Sequence, residues 1–303
     1  MNNSKTNGRG PVLMMVSSML IFGTIGVFRR YIPVSSAFLA CSRGLLGGLC
    51  ILLFARLKRK TKENAVPVPR RTLLLLIVSG GLIGVNWMLL FEAYNYTSVS
   101  VATLCYYMQP VIVTLLSPLF FRERLTAGKA ACAAAAIAGM VLVSGVFEGG
   151  ARPGSLRGVL LGLGAAMLYA SVVIINKKIP GIDAYRKTTV QLLSAGFVMI
   201  PYLLLTGGFG CGSLTPVRGF LLLVVGIVHT GVAYVLYFGC MDGLRVQTVA
   251  ILSYIDPVSA LLFSALLLRE PLSLLNVVGA VLIIGSAVVS EIRGSQKLPP
   301  ESR

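Results

Sequence analysis

Charge is scarce in this sequence of 303 residues, and acid is scarcer than base. Only 12% of the residues are charged, with 10 Asp and Glu against 27 Lys and Arg. A soluble globular domain carries roughly 25% charged residues and 45–50% apolar ones; here the apolar fraction is 56%. There is one histidine and one tryptophan. With a single histidine, no H-E-x-x-H and no G-x-S-x-G, an intramembrane hydrolase has no nucleophile with its base and no metal to work with. No G-x-x-x-x-G-K-[ST] loop is present to cradle a nucleotide, so neither cofactor nor metal is expected. The six cysteines, at 41, 50, 105, 132, 211 and 240, show neither metal spacing nor a disulfide framework. Five fall within apolar runs, where Cys behaves as a small hydrophobe. The first apolar run is too long for a cleavable signal and ends at Arg29-Arg30 without small residues, so none is expected.

What the chain has is long uninterrupted apolar stretches, and crossing a bilayer takes about 20 such residues. Ten are expected to span: 11–31, 34–56, 72–94, 98–121, 126–147, 157–178, 184–206, 218–239, 247–268 and 274–292. Pro33, Pro153, Pro180 and Pro216 fall between spans, while Pro110, Pro118, Pro201 and Pro257 lie inside them, where freed backbone groups need other partners. The net charge of +17 sits in the connections, not in a face or stripe, which argues against nucleic acid. With the N-terminus inside, 20 Lys and Arg lie on the inner side and 6 on the outer. The positive-inside rule then puts both termini in the cytoplasm of a cell-membrane protein.

The segment 98–125 returns after a shift of 147 residues. Tyr107 falls on Tyr254, Pro110 on Pro257, Ser117 on Ser264, and Arg122-Glu123 on Arg269-Glu270. The same shift carries Leu13 onto Leu160, Ile32-Pro33 onto Ile179-Pro180 and Gly84-Val85 onto Gly231-Val232. The chain therefore divides into 1–148 and 149–303, each with five spans. An odd number of spans makes the second unit enter the membrane inverted. The fold expected is an all-α integral membrane protein of ten transmembrane helices in two inverted repeats. Such repeats place substrate near the midplane and open to alternate sides by rocking. Small residues at Gly44, Gly47 and Gly48, at Gly158 and Gly162, and at Ala131, Ala135 and Gly139 offer faces for close helix packing. The last is a seam for a homodimer or for a neighbouring helix of the same chain, the second being preferred.

Phe22-Gly23 in the first span, Ser42-Arg43-Gly44 in the second, Tyr96-Thr97-Ser98 before the fourth and Arg122-Glu123-Arg124-Leu125 after it, in this order within a doubled unit, resemble the EamA-type drug/metabolite transporters. The resemblance runs from about residue 12 to residue 291. It implies a ten-helix transporter, often an exporter, of amino acids, other metabolites or drug-like compounds. The family's first span often has Trp where this chain has Phe22, and its second repeat rarely has an acid at the place of Asp256. A non-transporting scaffold or lipid-handling subunit is the alternative reading, against which the short loops argue.

An ionisable group inside a span costs about 2.5–3.5 kcal/mol on insertion scales, which makes it a functional candidate. Asp256, beside Pro257 in the ninth span, suits proton exchange, with Glu92 near the outer end of the third span as a second proton-coupling candidate. Asp256 is expected to share a helix face with Ser253, Ala260 and Ser264. Gln109 occupies the corresponding place in the first unit and can hold a substrate polar group, or satisfy the carbonyl that Pro110 frees. Tyr106, Tyr107, Tyr254 and Trp87 are expected to wall a substrate cavity, with Phe91, Tyr234 and Tyr237 nearby. Arg43 is expected to form an internal structural pair with Asp256 or Glu92 in preference to touching substrate. Glu123 and Glu270, with their arginines, are expected to brace corners before N-caps at Thr126 and Ser273, a gating role ranking second. His229 reads as hydrogen-bonded packing more than as a proton relay.

Overall fold

The computed structural model describes residues 9–58, 68–121, 126–143, 155–179, 181–208, 215–241, 243–244 and 246–295. Arg122-Glu123-Arg124-Leu125, Pro153, Pro180, Cys211 and much of the basic connection between residues 56 and 71 lie outside them. The described residues form helices and connections only. Among the described residues, seven helical stretches are long and apolar enough to cross a membrane: Arg9–Tyr31, Ser36–Leu57, Arg70–Tyr96, Val99–Phe120, Leu156–Lys177, Ala184–Thr206 and Pro216–Met241. Ala127–Val143, Ile255–Leu267 and Leu274–Ser290 are apolar but shorter. The protein is a multi-pass membrane protein, and its surface agrees. Leu205 is 88% exposed and Leu274 79%, and large apolar side chains project from many of its helices. So much apolar surface facing outwards fits lipid and not water.

Several of these stretches are broken. The first is α1 (Arg9–Gly23) and α2 (Ile25–Tyr31), interrupted at Thr24, and is followed by α3 (Ser36–Lys58) and α4 (Arg70–Tyr96). The fourth is α5 (Val99–Tyr106) and α6 (Gln109–Phe121), and then comes α7 (Ala127–Val143). The second half has α8 (Ser155–Lys177) and α9 (Ala184–Thr206), each continuous. Next, α10 (Pro216–Gly226) passes through a π-helical segment, Ile227–Val232, into α11 (Ala233–Met241). α12 (Val246–Ser253) and α13 (Ile255–Leu267) meet at Tyr254, and α14 (Leu274–Ser295) closes the described chain. Side chains fix many of the starts: Ser98 accepts from Val101 N at 3.1 Å, and Asp183 from Arg186 N at 3.0 Å. The expected caps are present, Thr126 accepting from Lys129 N at 3.4 Å and Ser273 from Asn276 N at 3.1 Å.

The shift of 147 pairs α3 with α9 and α7 with α14, and in both cases the mates pack on each other. Small residues allow this. A Cβ on Gly44 would lie 2.5 Å from the backbone nitrogen of Gly196, so these two helices touch backbone to backbone. Along the same interface Cys41 bonds the Gly196 carbonyl at 3.3 Å while Gly48 faces Leu193, so the helices run antiparallel. In the other pair Gly139 faces 279–283 and Gly279 faces 139–143, again antiparallel. Gly139 is thus occupied within the chain, which is the preferred of the two readings of that seam. Gly158 packs on Thr97, and Gly162 on Ala102 and Cys105, fixing α8 against the start of the broken helix α5 and α6.

Because Gly158 and Arg157 lie against Thr97 and Tyr96, the start of α8 is at the end of the bundle where Arg30 meets Thr97. Helix α8 is 23 residues long, roughly 34 Å, so Lys177 marks the opposite end. These are called below the Arg30 end and the Lys177 end.

Candidate functional site

The site begins at the breaks. Pro110 is the second residue of α6 and Pro257 the third of α13. In a first turn proline sacrifices no intrahelical hydrogen bond, so these two prolines, expected inside spans where freed backbone groups need other partners, each stand at the start of a helix. Ser253 consequently belongs to α12 and not to the helix of Asp256, Ala260 and Ser264, which corrects the expected stripe. Asp256 stands in the first turn of α13, where the helix dipole favours an acid. The Tyr107 hydroxyl, at the corresponding break of the other half, donates to its Oδ2.

Around these breaks lies a cavity of about 400 Å³. All five residues expected to bind substrate line it: Gln109, Tyr107, Tyr254, Trp87 and Tyr106. Asp256, Arg43 and Pro110 line it too, as do Tyr234 and Tyr237. Its aromatic wall is knit by ring contacts, Tyr106 lying 5.6 Å from Tyr169 and 5.7 Å from Tyr107, and Phe22 5.2 Å from Tyr234. Tyr94, Thr103 and Tyr169 are lining residues that sequence reasoning missed. A signal for Tyr169 was present: the shift of 147 carries Phe22 onto it. The same shift relates Trp87 to Tyr234, Leu90 to Tyr237, Tyr106 to Ser253, Tyr107 to Tyr254 and Gln109 to Asp256, all lining residues. Equivalent positions of the two halves thus face one space.

Arg43 differs from expectation. It is only 4% exposed, and its Nε donates to Thr230 Oγ1 at 3.1 Å. Its guanidinium carbon lies 4.0 Å from the Trp87 ring centroid and 5.3 Å from that of Phe91. Among the described residues no carboxylate is within ion-pair distance of it. The two acids expected to pair with it are engaged elsewhere: Asp256 holds Tyr107, and Glu92 accepts from Ser36 Oγ at 2.7 Å and Asn95 Nδ2 at 3.1 Å. Thr230 belongs to the π-helical segment, where its hydroxyl also bonds the Val225 carbonyl at 3.1 Å. His229, beside it, is buried and bonds Thr24 at the α1–α2 break at 2.9 Å, with the Phe28 ring 4.5 Å away. The histidine ties two irregular points of the bundle together.

Glu92, Pro257 and Glu270 do not line the cavity, and Glu123 is among the residues not described. Glu270 is at the Arg30 end. It does not pair with Arg269; it accepts from Val99 N at 2.9 Å and Ser100 N at 3.2 Å, and pairs with Arg30 at 3.3 Å. Arg269 has φ 53, left-handed backbone that a non-glycine residue adopts at a cost, and there the chain turns Glu270 back over the start of α5. This end of the cavity is therefore laced by a carboxylate that joins α13, α5 and α2. In the other direction Gln109, Pro110 and Tyr254 also line a second cavity of about 330 Å³, which reaches Lys129 and Lys177.

Comparison with known proteins agrees with this geometry. The EamA-like transporter family matches the chain twice, over residues 9–145 and 156–291. The chain is 27% identical over 293 residues to a Bacillus subtilis (strain 168) protein named "Uncharacterized transporter YxxF", covering 94% of this chain and 91% of that one. It is 30% identical to "Protein PecM" of Dickeya dadantii (strain 3937), covering 84% and 86%, and 27% identical to "Protein RarD" of Salmonella typhi, covering 69% and 68%. A solved crystal structure shares the fold with a TM-score of 0.64 at 20% identity, covering 94% of this chain and 98% of that one.

Proposed function

Because the chain belongs to the EamA-like transporter family, we propose that it is a secondary transporter exporting a small organic metabolite, an amino acid or an amphipathic drug-like compound, across the cytoplasmic membrane by alternating access. That it is a membrane transporter and not an enzyme follows from the family and from relatives named as transporters. In the proposed architecture residues 1–148 and 149–303 are inverted five-span units, ten spans in all, with both termini in the cytoplasm. The doubled family match, the antiparallel packing of α3 on α9 and α7 on α14, and the concentration of Lys and Arg on one side support it.

One observation carries the mechanism: the cavity is walled by equivalent residues of both halves and sits where α5–α6 and α12–α13 are broken. Broken helices let one part of a span tilt while the other stays packed. In this reading the Glu270 lacing at the Arg30 end bars the outer mouth, and the second cavity leads from Gln109 to the cytoplasmic side. Substrate rests against the tyrosines, Trp87 and Gln109, and rocking of the halves exchanges one closure for the other. Asp256 carries the coupling proton: binding one frees Tyr107 from an ionised acceptor, and losing it restores the bond between the halves. Glu92, tied to Ser36 and Asn95 away from the cavity, serves at most as an outer relay to it.

The test is solute flux in liposomes containing the purified chain, over a panel of amino acids and organic cations, with and without a pH step. Wild type is expected to accumulate at least one solute when a pH difference is imposed. Asp256→Asn is expected to keep downhill exchange and lose accumulation. Undiminished pH-driven accumulation by that variant removes Asp256 from the mechanism.

A further inference from the structure

We propose that Arg43 is the substrate-binding residue for a carboxylate, and hence that the transported compound is an amphipathic organic acid or zwitterion and not a simple cation or neutral molecule. This rests on the transporter reading above. The guanidinium has five N–H donors in a planar fork. Among the described residues only its Nε donor has a hydrogen-bond partner, Thr230 Oγ1, and the residue lines the cavity. A buried guanidinium ordinarily has a carboxylate or a set of acceptors to balance it. Here the balancing contacts are the Trp87 and Phe91 rings and one hydroxyl. Those contacts leave its four terminal N–H donors without a hydrogen-bond partner among the described residues, and a planar, two-oxygen anion is the shape that arginine binds bidentately.

Pseudosymmetry separates this residue from the scaffold. The helices that cross beside it, α3 and α9, are mates, and most of the cavity wall is built by mates, although Gly44 and Gly196 themselves fall on Gln191 and Leu49. The shift of 147 carries Arg43 onto Val190, however, and Gln109 onto Asp256, so each charge of the cavity occurs in one half only. A brace needed by the repeat architecture would be expected in both units. A charge needed by an asymmetric ligand would not. The π-helical turn that aims Thr230 at Arg43 is likewise a local irregularity of one half, of the kind that recurs at functional sites. The remaining wall is aromatic, which suits the apolar body of the same ligand.

Trp87 is the chain's only tryptophan, lines the cavity and lies 4.0 Å from the Arg43 guanidinium, so its fluorescence reports occupancy directly. Purified full-length protein would be titrated with matched sets sharing one skeleton: L-leucine, L-phenylalanine and 3-phenylpropionate, the primary amide of each, and, for the two amino acids, the corresponding amine lacking the carboxylate. Carboxylate members are expected to shift the emission with dissociation constants tighter than those of their amides by about tenfold or more, the scale of a charge-assisted pair. Arg43→Gln is expected to abolish that preference, and Arg43→Lys to keep part of it. Equal or tighter binding of the amides or amines by wild type overturns the assignment even if no variant folds. So does a carboxylate preference that survives in Arg43→Gln, or the failure of every carboxylate in the sets to bind. Flux of the same compounds into liposomes separates the two levels. Transport without carboxylate preference sinks the Arg43 assignment and leaves the transporter reading standing, whereas absence of both flux and emission change counts against both.

Discussion

At the residue scale the cavity contains two charges of opposite sign that do not pair with one another, and their separate partners account for their roles. Asp256 is held by Tyr107 across the two halves, so in the proposed cycle this hydrogen bond is part of the contact that must break. A hydrogen bond to a charged group is worth roughly 1.5–3 kcal/mol, a factor of about ten or more in an equilibrium. Tyr107→Phe is therefore expected to lower pH-driven flux about tenfold and also to lower the thermal unfolding midpoint in detergent, since Asp256 loses its buried donor. An unchanged flux would show that the bond has no part in the cycle. The individual residues were partly legible in the sequence. Ionisable and aromatic side chains in apolar runs point to Asp256, Arg43, Trp87 and the tyrosines, because membrane burial penalises them unless they serve something. The partner of Arg43 was not legible. Which acid reaches which base depends on how three helices rotate, and no periodicity records that Glu92 faces Ser36 instead.

At the element scale the useful distinction is between helices that pack closely and helices that are broken. The α3–α9 crossing depends on glycine, because a Cβ at Gly44 would meet backbone atoms of Gly196 and Leu192 that have no rotamer to yield. Gly44→Leu is expected to lower stability by roughly 1–3 kcal/mol or more, the usual cost of overpacking, read as a lower midpoint of thermal unfolding. Gly81→Ala, whose new Cβ would lie 3.4 Å from a Val198 side-chain carbon, is expected to be tolerated. Equal midpoints for the two variants would contradict the packing described. The lacing by Glu270 makes a second element-scale prediction. Glu270→Ala removes the acceptor for Val99 N and Ser100 N and the partner of Arg30, so a cysteine introduced at Thr103 in the cavity wall is expected to react faster with an impermeant thiol reagent added outside. No change in that rate would mean that this contact is not a closure. The positions of the seven long apolar helices were readable from hydropathy, but the breaks at Thr24 and Tyr254 were not. Thr24 has no proline beside it, and the break at Tyr254 lies within a stretch, 247–268, whose apolar pattern continues through Pro257. A π-helical turn is equally silent, since the apolar pattern around His229 runs straight through it.

At the scale of the whole molecule, the repeat organises everything else. The shift that aligns 98–125 with 245–272 also pairs Phe22 with Tyr169 and Trp87 with Tyr234, and these mates meet in one cavity. The sequence therefore held more of the site than single-residue reasoning extracted from it. Applying the repeat to every candidate, and not only to the segment that revealed it, would have named Tyr169. Antiparallel packing of α3 on α9 and of α7 on α14 is what the proposed inverted repeat requires. Tyr31 and Lys178 are repeat mates and both are exposed, so they report the relation between the halves directly. The decisive measurement is labelling of single cysteines at these two positions in intact cells by an impermeant maleimide, with the native cysteines replaced by serine. Inverted halves predict that Tyr31→Cys reacts from outside and that Lys178→Cys reacts only after the membrane is opened. Reaction of both from the same side would make the halves parallel and contradict the account.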